Sequence, residues 1–342
     1  MRPFINWAGS REKDLGVILP LIPKDIETFV DPFVGDGACF LAAEAKSYAL
    51  ADKNAELINA YRVVQTGGPR LRTLLPELKK TWENCDLAFE SIRSGLLELK
   101  CSADDGLFAE YPSLVKAVGR ITDRTPVEDI FPSPYTEGDQ FLIELRHQTI
   151  EALESMTLFI DDATVTSTFY TAFKAAVHQY LVEVFNLPET KNTLRAALLI
   201  FLMEYARGDK YVEDAQQFRP EYAGRKANQR SIESRISTVT SPVLARKMEV
   251  TRTYSQELFR TLGYPFSKEE GNFLFLDVPG PGPKTLTTAG HKRLAKFLRN
   301  DTKARWMAIC APDNPMVDML NAKPKKIRHA VPLGKELIIM NY

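Results

Sequence analysis

The sequence predicts an α/β fold, and three observations carry that expectation. Short apolar, strand-like runs alternate with helix-periodic stretches along much of the chain. The first such run breaks at Gly35 and Gly37 and resumes in small, helix-compatible residues. A second run then ends in a carboxylate, Asp52, placed where an acidic side chain could take the hydroxyls of a ribose.

The elements follow in order. Thr28 to Val30 reads as a strand and Phe33-Val-Gly-Asp-Gly37 as a glycine turn that opens a helix, because glycine lets the backbone approach a ligand and adopt a left-handed conformation. Tyr48 to Ala51 reads as the second strand. Asn54 to Gln65 carries Leu57, Ile58, Tyr61 and Val64 on one helical face. Further strands are predicted at Lys247 to Tyr254, Asn272 to Leu276, Trp306 to Cys310 and Glu336 to Met340. Taken alone, the glycine turn would suit any dinucleotide or methyl-donor enzyme, or a tight turn in a core strand.

Between Arg70 and about Leu187 the pattern is helical, with apolar residues at three and four spacing in Leu71 to Lys80, Leu87 to Leu99, Gln140 to Ser155 and Phe169 to Phe185. Gly119 to Gly138, which holds Pro126, Pro132 and Pro134, reads as an irregular loop. The very apolar stretch Thr193 to Ala206 predicts a helix leading into Arg207-Gly-Asp-Lys210. Beyond it, Gln216 to Arg235 is polar and basic, with Phe218 and Tyr222 set among Arg219, Arg225, Lys226 and Arg230. That composition suits either a loop that folds against a nucleic-acid backbone or a solvated surface loop.

A chain of 342 residues, 44% of them hydrophobic, can bury a large core, and disorder is excluded as its general state. Its 44 basic and 44 acidic residues cancel, but their distribution is uneven. Lys100 to Asp162 holds 13 acidic against 5 basic residues, whereas Lys284 to Arg305 holds 7 basic against 1 acidic. The carboxyl-terminal half is therefore the better candidate to face phosphates. The four cysteines, Cys39, Cys85, Cys101 and Cys310, form no CxxC pair and read as reduced thiols. The opening residues hold no signal-peptide-like apolar stretch and nothing in the chain reaches about 18 uncharged apolar residues, so a soluble, cytoplasmic protein with no membrane partner is expected. The four histidines are scattered without metal-ligand spacing, and no metal is expected. GxSxG and P-loop sequences are absent, and Asp161-Asp162 reads as a loop or helix-cap pair.

Several of these motifs occur in an order that resembles one family. Phe4-Ile-Asn-Trp-Ala-Gly-Ser-Arg11, Phe29-Val-Asp-Pro-Phe-Val-Gly-Asp-Gly-Ala-Cys-Phe40 and Ala51-Asp-Lys-Asn-Ala-Glu-Leu-Ile58 are similar to the opening of the D12 class, or Dam-like, DNA adenine-N6 methyltransferases. The resemblance continues in Ala197 to Gly208, Phe273-Leu-Phe-Leu-Asp-Val-Pro-Gly280, His291 to Leu298 and Lys335 to Tyr342. Only the helical stretch from about Arg70 to Phe185 has no counterpart.

The resemblance implies a Rossmann-like, S-adenosylmethionine-dependent methyltransferase fold with a helical insertion and a small target-recognition segment. It implies methyl transfer to a flipped adenine in double-stranded DNA, as in restriction-modification. Trp7, Ala8, Gly9 and Arg11 would line the cofactor pocket with Asp31, Pro32, Phe33, Gly35 and Gly37, while Asp52 would hold the ribose. Arg219, Arg225, Lys226 and Arg230 become candidates for DNA contact. Residues 1–69 and 246–342 would form the methyltransferase domain, 70–187 the insertion, and 188–245 the connecting helix and target-recognition segment.

The chemistry would rest on Asp277 and Pro279. In the family this strand end reads Asp-Pro-Pro-Tyr or a close variant: the acidic side chain and the next carbonyl accept hydrogen bonds from the adenine amine, and the aromatic ring stacks on the base. Here Asp277-Val-Pro-Gly280 keeps the carboxylate and one proline, while Val278 and Gly280 replace the first proline and the ring. Ser10-Arg11 stands where a lysine is usual, Asn6 stands where lysine is common, and Arg252-Thr-Tyr-Ser-Gln256 itself holds no acidic residue where the family carries one. These departures frame the alternative expectation, a catalytically inactive methyltransferase-like protein that binds DNA or another protein.

Overall fold

A computed structural model of the chain describes residues 1–66, 69–108, 110–131, 138–158, 160–207, 213–214, 217–254, 261–263, 266–282, 285–321 and 329–342. Two compact units result: Met1–Gly68 with Ser237–Tyr342, and Pro69–Ile236. In chain order the strands are β1 Thr28–Asp31, β2 Ser47–Ala51, β3 Glu213–Asp214, β4 Gln217–Phe218, β5 Thr251–Tyr254, β6 Phe273–Asp277, β7 Arg305–Cys310, β8 His329–Leu333 and β9 Glu336–Met340.

The first unit is an α/β sheet in the order β5-β2-β1-β6-β7-β9-β8. β5, β2, β1, β6 and β7 are parallel; β9 runs antiparallel to β7 and pairs with the edge strand β8. The strands are short and apolar because both faces are covered, as parallel sheets require. On β6 the two faces divide cleanly. Phe273 and Phe275 pack on Phe29, whereas Leu274 and Leu276 join Val30, Leu294 and Trp306 in the opposite core.

The chain leaves β1 toward β2 on one side, and its later strands β6 and β7 add on the other. The sheet therefore reverses direction of growth between β1 and β6. In open α/β sheets ligands bind outside the carboxyl ends of the strands at such a reversal. Asp31 and Asp277 terminate these two strands.

One expectation for this unit is corrected and one strand is added. Lys247 to Glu249 are not strand: Ser241 caps a helix, Pro242–Glu249, whose Leu244 and Met248 are buried, and β5 begins only at Thr251. Pro242 at the first helical position and the spacing of those two apolar residues explain the helix. β8 was not foreseen because Pro332 interrupts its apolar run, which an edge strand tolerates.

The second unit is almost wholly helical: Pro69–Asp104, Tyr111–Thr122, Gly138–Ser155, Asp162–Asn186 and Asn192–Tyr205 are its principal helices. The two segments expected at Leu71 to Lys80 and Leu87 to Leu99 are one helix. Leu78, Trp82, Cys85, Phe89, Ile92, Leu96 and Leu99 form one buried stripe that runs through the intervening residues without a break. The loop expected over Gly119 to Gly138 is partly helical, since Tyr111–Thr122 continues past Gly119 and Val127–Ile130 adds a turn; Pro132 and Pro134 lie outside the described residues. Its core is aromatic, with Trp82 against Tyr205 at 4.4 Å and Phe131 against Tyr180 at 4.7 Å between ring centroids. Among the described residues no helix is long and apolar enough to cross a membrane.

Candidate active site

The glycine turn is built by backbone conformation and by one buried tyrosine. Gly35 and Gly37 hold φ of 51° and 74°, left-handed values that other residues adopt only under strain. Gly37 caps the helix Ala38–Ala42, and its amide donates to Val34 O at 2.8 Å. A Cβ at Gly37 would lie 2.4 Å from the Tyr61 hydroxyl, so glycine is required there twice over. That hydroxyl donates to Gly35 O at 3.0 Å and ties the turn to the helix Ala55–Gln65.

Asp52 follows β2 and accepts from the amides of Gly35, at 3.3 Å, and Asn54, at 2.9 Å. Burial raises its pKa, and these backbone donors oppose the rise. Asn54 in turn caps its helix by accepting from Leu57 N. Asp31, at the end of β1, is 2% exposed and accepts from Phe33 N at 3.1 Å. Its pKa is pushed well up, first by burial and then by the neighbouring carboxylates Asp277, Asp52 and Asp36, against the pull of the Phe33 amide.

Arg11 crosses to the end of β6. Its Nε donates to Asp277 Oδ2 at 2.8 Å and its Nη2 to Asp277 Oδ1 at 2.5 Å, a two-point fork. The same guanidinium bonds both carboxylate oxygens of Glu336, at the start of β9, and reaches Asp14 at 3.4 Å. The side chains of Arg11, Asp277 and Glu336 are 14%, 20% and 34% exposed, so the network is shielded from water but not sealed. Burial raises the Asp277 pKa while Arg11 holds it down; Glu336 is lowered, chiefly by its hydrogen bond from Arg11.

These groups share one cavity of about 520 Å³. Of the residues expected to bind cofactor, Trp7, Ala8, Gly9, Arg11, Asp31, Phe33, Gly35 and Asp52 lie in its wall, and so do Asp277 and Pro279. Pro32 is buried behind it and Gly37 acts as the helix cap. Gly280 lines the cavity too, and a Cβ there would meet nothing within 4 Å. Glu336 was missed as a site residue. Its signal was a lone carboxylate at the head of an apolar strand, Glu336-Leu-Ile-Ile-Met340.

His291 is wholly buried, with Nε2 at 2.8 Å from Pro279 O and Nδ1 at 2.9 Å from Thr287 O. It pins the carbonyl of Pro279 to the following helix. The Val278 amide donates to Ile309 O at 2.9 Å, which ties the motif to β7. Residues Ser255 and Gln256, near the acidic position missing from the sequence, lie outside the described residues. Among the described residues no group of three or more His, Cys, Asp or Glu could hold a metal ion. Asp161 is a helix cap, accepting from Thr164 N and Oγ1.

The residues expected to touch DNA lie in the helical unit. Arg219 is exposed beside Gln217, and Arg225 and Lys226 are exposed on the 3-10 turn Gly224–Gln229, with Arg225 donating to Thr168 Oγ1 at 3.0 Å. Arg230 donates to the carbonyls of Glu204 and Ala206, at 2.7 and 2.9 Å, and so fixes the end of the helix Asn192–Tyr205. The aromatic residues of this segment face inward. Phe218 is 2% exposed and packs on Phe185, and Tyr222 donates to Asn228. The expectation of a loop throughout is thus corrected: burying Phe218, packing Tyr222 beside Trp82 and His178, and ending in the helix Glu233–Val239 give the segment its own packing.

A mixed sheet that reverses beside β1, with a glycine turn at that reversal and a carboxylate after the second strand, is the fold of the S-adenosylmethionine-dependent methyltransferase class. Within that class, residues 7–100 match the model of the D12 class N6 adenine-specific DNA methyltransferases, which bears out the resemblance of the opening motifs and also runs past Arg70 into the helical stretch where no counterpart was expected. The chain is 31% identical over 117 residues to the Type II methyltransferase M1.LlaDCHI of Lactococcus lactis subsp. cremoris, covering 34% of this chain and 38% of that protein. It is 42% identical over 64 residues to the DNA adenine methylase of Escherichia coli K12, covering 19% and 23%. With the Modification methylase StsI of Streptococcus sanguinis it shares 37% over 92 residues, covering 25% and 14%. The matches therefore span well under half the length of each of these curated relatives.

Proposed function

We propose that this chain is a DNA adenine-N6 methyltransferase, taking S-adenosylmethionine as methyl donor and an adenine turned out of double-stranded DNA as acceptor. One observation carries the reading: the glycine turn with Asp52 and the strand-end carboxylate Asp277 face a single cavity. The residues present fit the cofactor. A volume of about 520 Å³ is in the range of small-molecule sites. The positive φ of Gly35 brings bare backbone to the wall, Trp7 and Phe33 offer flat apolar surface, and the Asp52 carboxylate is turned to the same cavity.

When bound, S-adenosylmethionine supplies a methyl group on a sulfonium, whose C–S electron pair departs with a neutral thioether. The residues of this chain then have positioning to do. An adenine amine is a weak nucleophile, and in this reading Asp277 and the Val278 carbonyl would accept hydrogen bonds from its two N–H groups and direct its lone pair. Arg11 fixes the Asp277 carboxylate in one orientation through the two-point fork. Pro279 is held through its carbonyl by His291 and stiffens the turn. Arg219, Arg225 and Lys226 support DNA binding from the helical unit by their exposure.

Transfer of labelled methyl from S-adenosylmethionine to duplex DNA, with N6-methyladenine found in the nucleosides, is the expected result. No label on any DNA, from folded protein with intact cofactor, would overturn the reading.

A second reading rests on Arg11 and Gly280. Both oxygens of Asp277 already accept from Arg11, and position 280 supplies no ring, which suits a module that binds DNA without modifying it. Duplex binding with no transfer, unrestored by Gly280→Tyr with Val278→Pro, would establish it.

A further inference from the structure

The helix Thr288–Asn300 follows the strand-end motif directly, and its charges are arranged in a way that helix stability does not explain. His291, Leu294, Ala295 and Leu298 are buried, while Lys292, Arg293 and Lys296 are exposed. From Val278 to Asn300 the sequence has no acidic residue. The basic residues stand at like-charge spacing, Lys292 with Lys296 and Arg293 with Lys296, where each pair disfavours the helix.

The long helix of the second unit carries counter-charges of its own. On Pro69–Asp104, Arg70 pairs with Glu77, Lys79 with Glu83 and Arg93 with Glu90. Among the described residues neither Lys292 nor Lys296 has an ion-pair partner; Asp318, exposed on the neighbouring helix Pro315–Asn321, pairs with neither. An anion seated on this face would have to come from outside the chain.

Its position says which anion. Thr285 and Gly280 line the cavity, Thr287 caps the helix, and His291, the residue before Lys292, bonds the carbonyl of Pro279. The basic face thus starts at the rim of the proposed base pocket, and at a rise of about 1.5 Å per residue Lys296 lies only about 6 Å further along. A nucleotide in that pocket carries phosphates on both sides.

We propose that the exposed face of Thr288–Asn300, through Lys292 and Lys296, holds the sugar-phosphate backbone of duplex DNA beside the nucleotide in the cavity. The assignment rests on the DNA reading above and adds a contact surface outside the Arg219 to Lys226 segment.

The experiment measures duplex binding by the full chain, by fluorescence anisotropy over a range of potassium chloride, for the unaltered protein, Lys292→Gln/Lys296→Gln and a charge-matched control, Lys116→Gln/Arg120→Gln. Each lost phosphate contact should flatten the plot of log K against log salt by about 0.9, so the helix variant should flatten it by about 2 and bind roughly 10- to 100-fold more weakly at 0.1 M salt. The control should keep the original slope. An unchanged slope in the helix variant, an equal change in the control, or no salt-dependent binding by the unaltered chain would each overturn the proposal. Labelled methyl transfer measured on the same samples separates the two ideas. Transfer with an unchanged slope defeats the surface alone, whereas a slope change without transfer defeats the methyltransferase reading alone.

Discussion

Arg11 grips Asp277 with two parallel hydrogen bonds, Nε to Oδ2 at 2.8 Å and Nη2 to Oδ1 at 2.5 Å, and this fork joins the amino-terminal segment to the end of β6. Arginine matters here for its planar geometry as well as its charge, because an ammonium cannot serve both oxygens in parallel. Arg11→Lys should therefore cost about 1 to 2 kcal/mol of stability. Arg11→Ala, which strands a shielded carboxylate, should cost about 2 to 4 kcal/mol, somewhat below the range for a broken buried pair because Asp277 keeps some exposure. Urea unfolding at neutral pH measures both. An Arg11→Lys variant as stable as the unaltered protein would show that the fork contributes nothing beyond its charge.

Gly37→Ala and Gly9→Ala form a matched pair. Both glycines have positive φ, 74° and 78°, but a Cβ at Gly9 meets nothing within 4 Å, whereas one at Gly37 strikes the Tyr61 hydroxyl. The Gly9 variant should lose only the backbone strain, about 1 to 2 kcal/mol. Gly37→Ala should lose about 3 kcal/mol or more, since strain and displacement of Tyr61 combine. Thermal unfolding compares them, and equal shifts would contradict the account of the turn.

Gly280→Tyr tests the open place in the cavity wall. Because position 280 has space around it, the variant should fold with a stability change below about 1 kcal/mol. A ring that stacks on a turned-out base should tighten binding of an extrahelical adenine by about 1 to 3 kcal/mol. Titration with a duplex carrying an unpaired adenine reads the gain, and no gain would mean that the base does not approach residue 280.

His178 should make the helical unit acid-sensitive. It is 1% exposed, and burial lowers its pKa from 6.5 to about 4. The neutral ring is the form that folds, so its contribution is complete above about pH 6.5 and is lost as pH falls through 4. The full window corresponds to about 3 kcal/mol. His178→Gln should reduce the stability difference between pH 7.5 and pH 4.5, followed by urea midpoints; an unchanged difference would locate the acid sensitivity elsewhere.

How much of this was legible in the sequence depended on the range of the interactions. The glycine turn, Asp52 and the helix after it are read locally, because φ, capping and a period of 3.6 are properties of adjacent residues. The Arg11–Asp277 fork joins residues 266 apart, and Arg11–Glu336 joins residues 325 apart; no local pattern announces either. Thr81 to Asp86 reads as a polar break until Trp82 and Cys85 are seen to continue the buried stripe. Composition also misled at Phe218 and Tyr222, since aromatic residues among arginines suit a stacking surface and a packed turn equally well.

The division of the chain bears on its synthesis. Pro69–Ile236 is one continuous stretch, whereas the sheet draws β1 and β2 from before it and β5 to β9 from after it. A ribosome therefore releases the whole helical unit while β1 and β2 still lack their neighbours β6 and β5, and the helical unit can consolidate first. Until translation reaches Glu336, Arg11 lacks one of its carboxylate partners and the cavity wall lacks a side. A nascent chain stalled before that point would hold the glycine turn but no finished binding site.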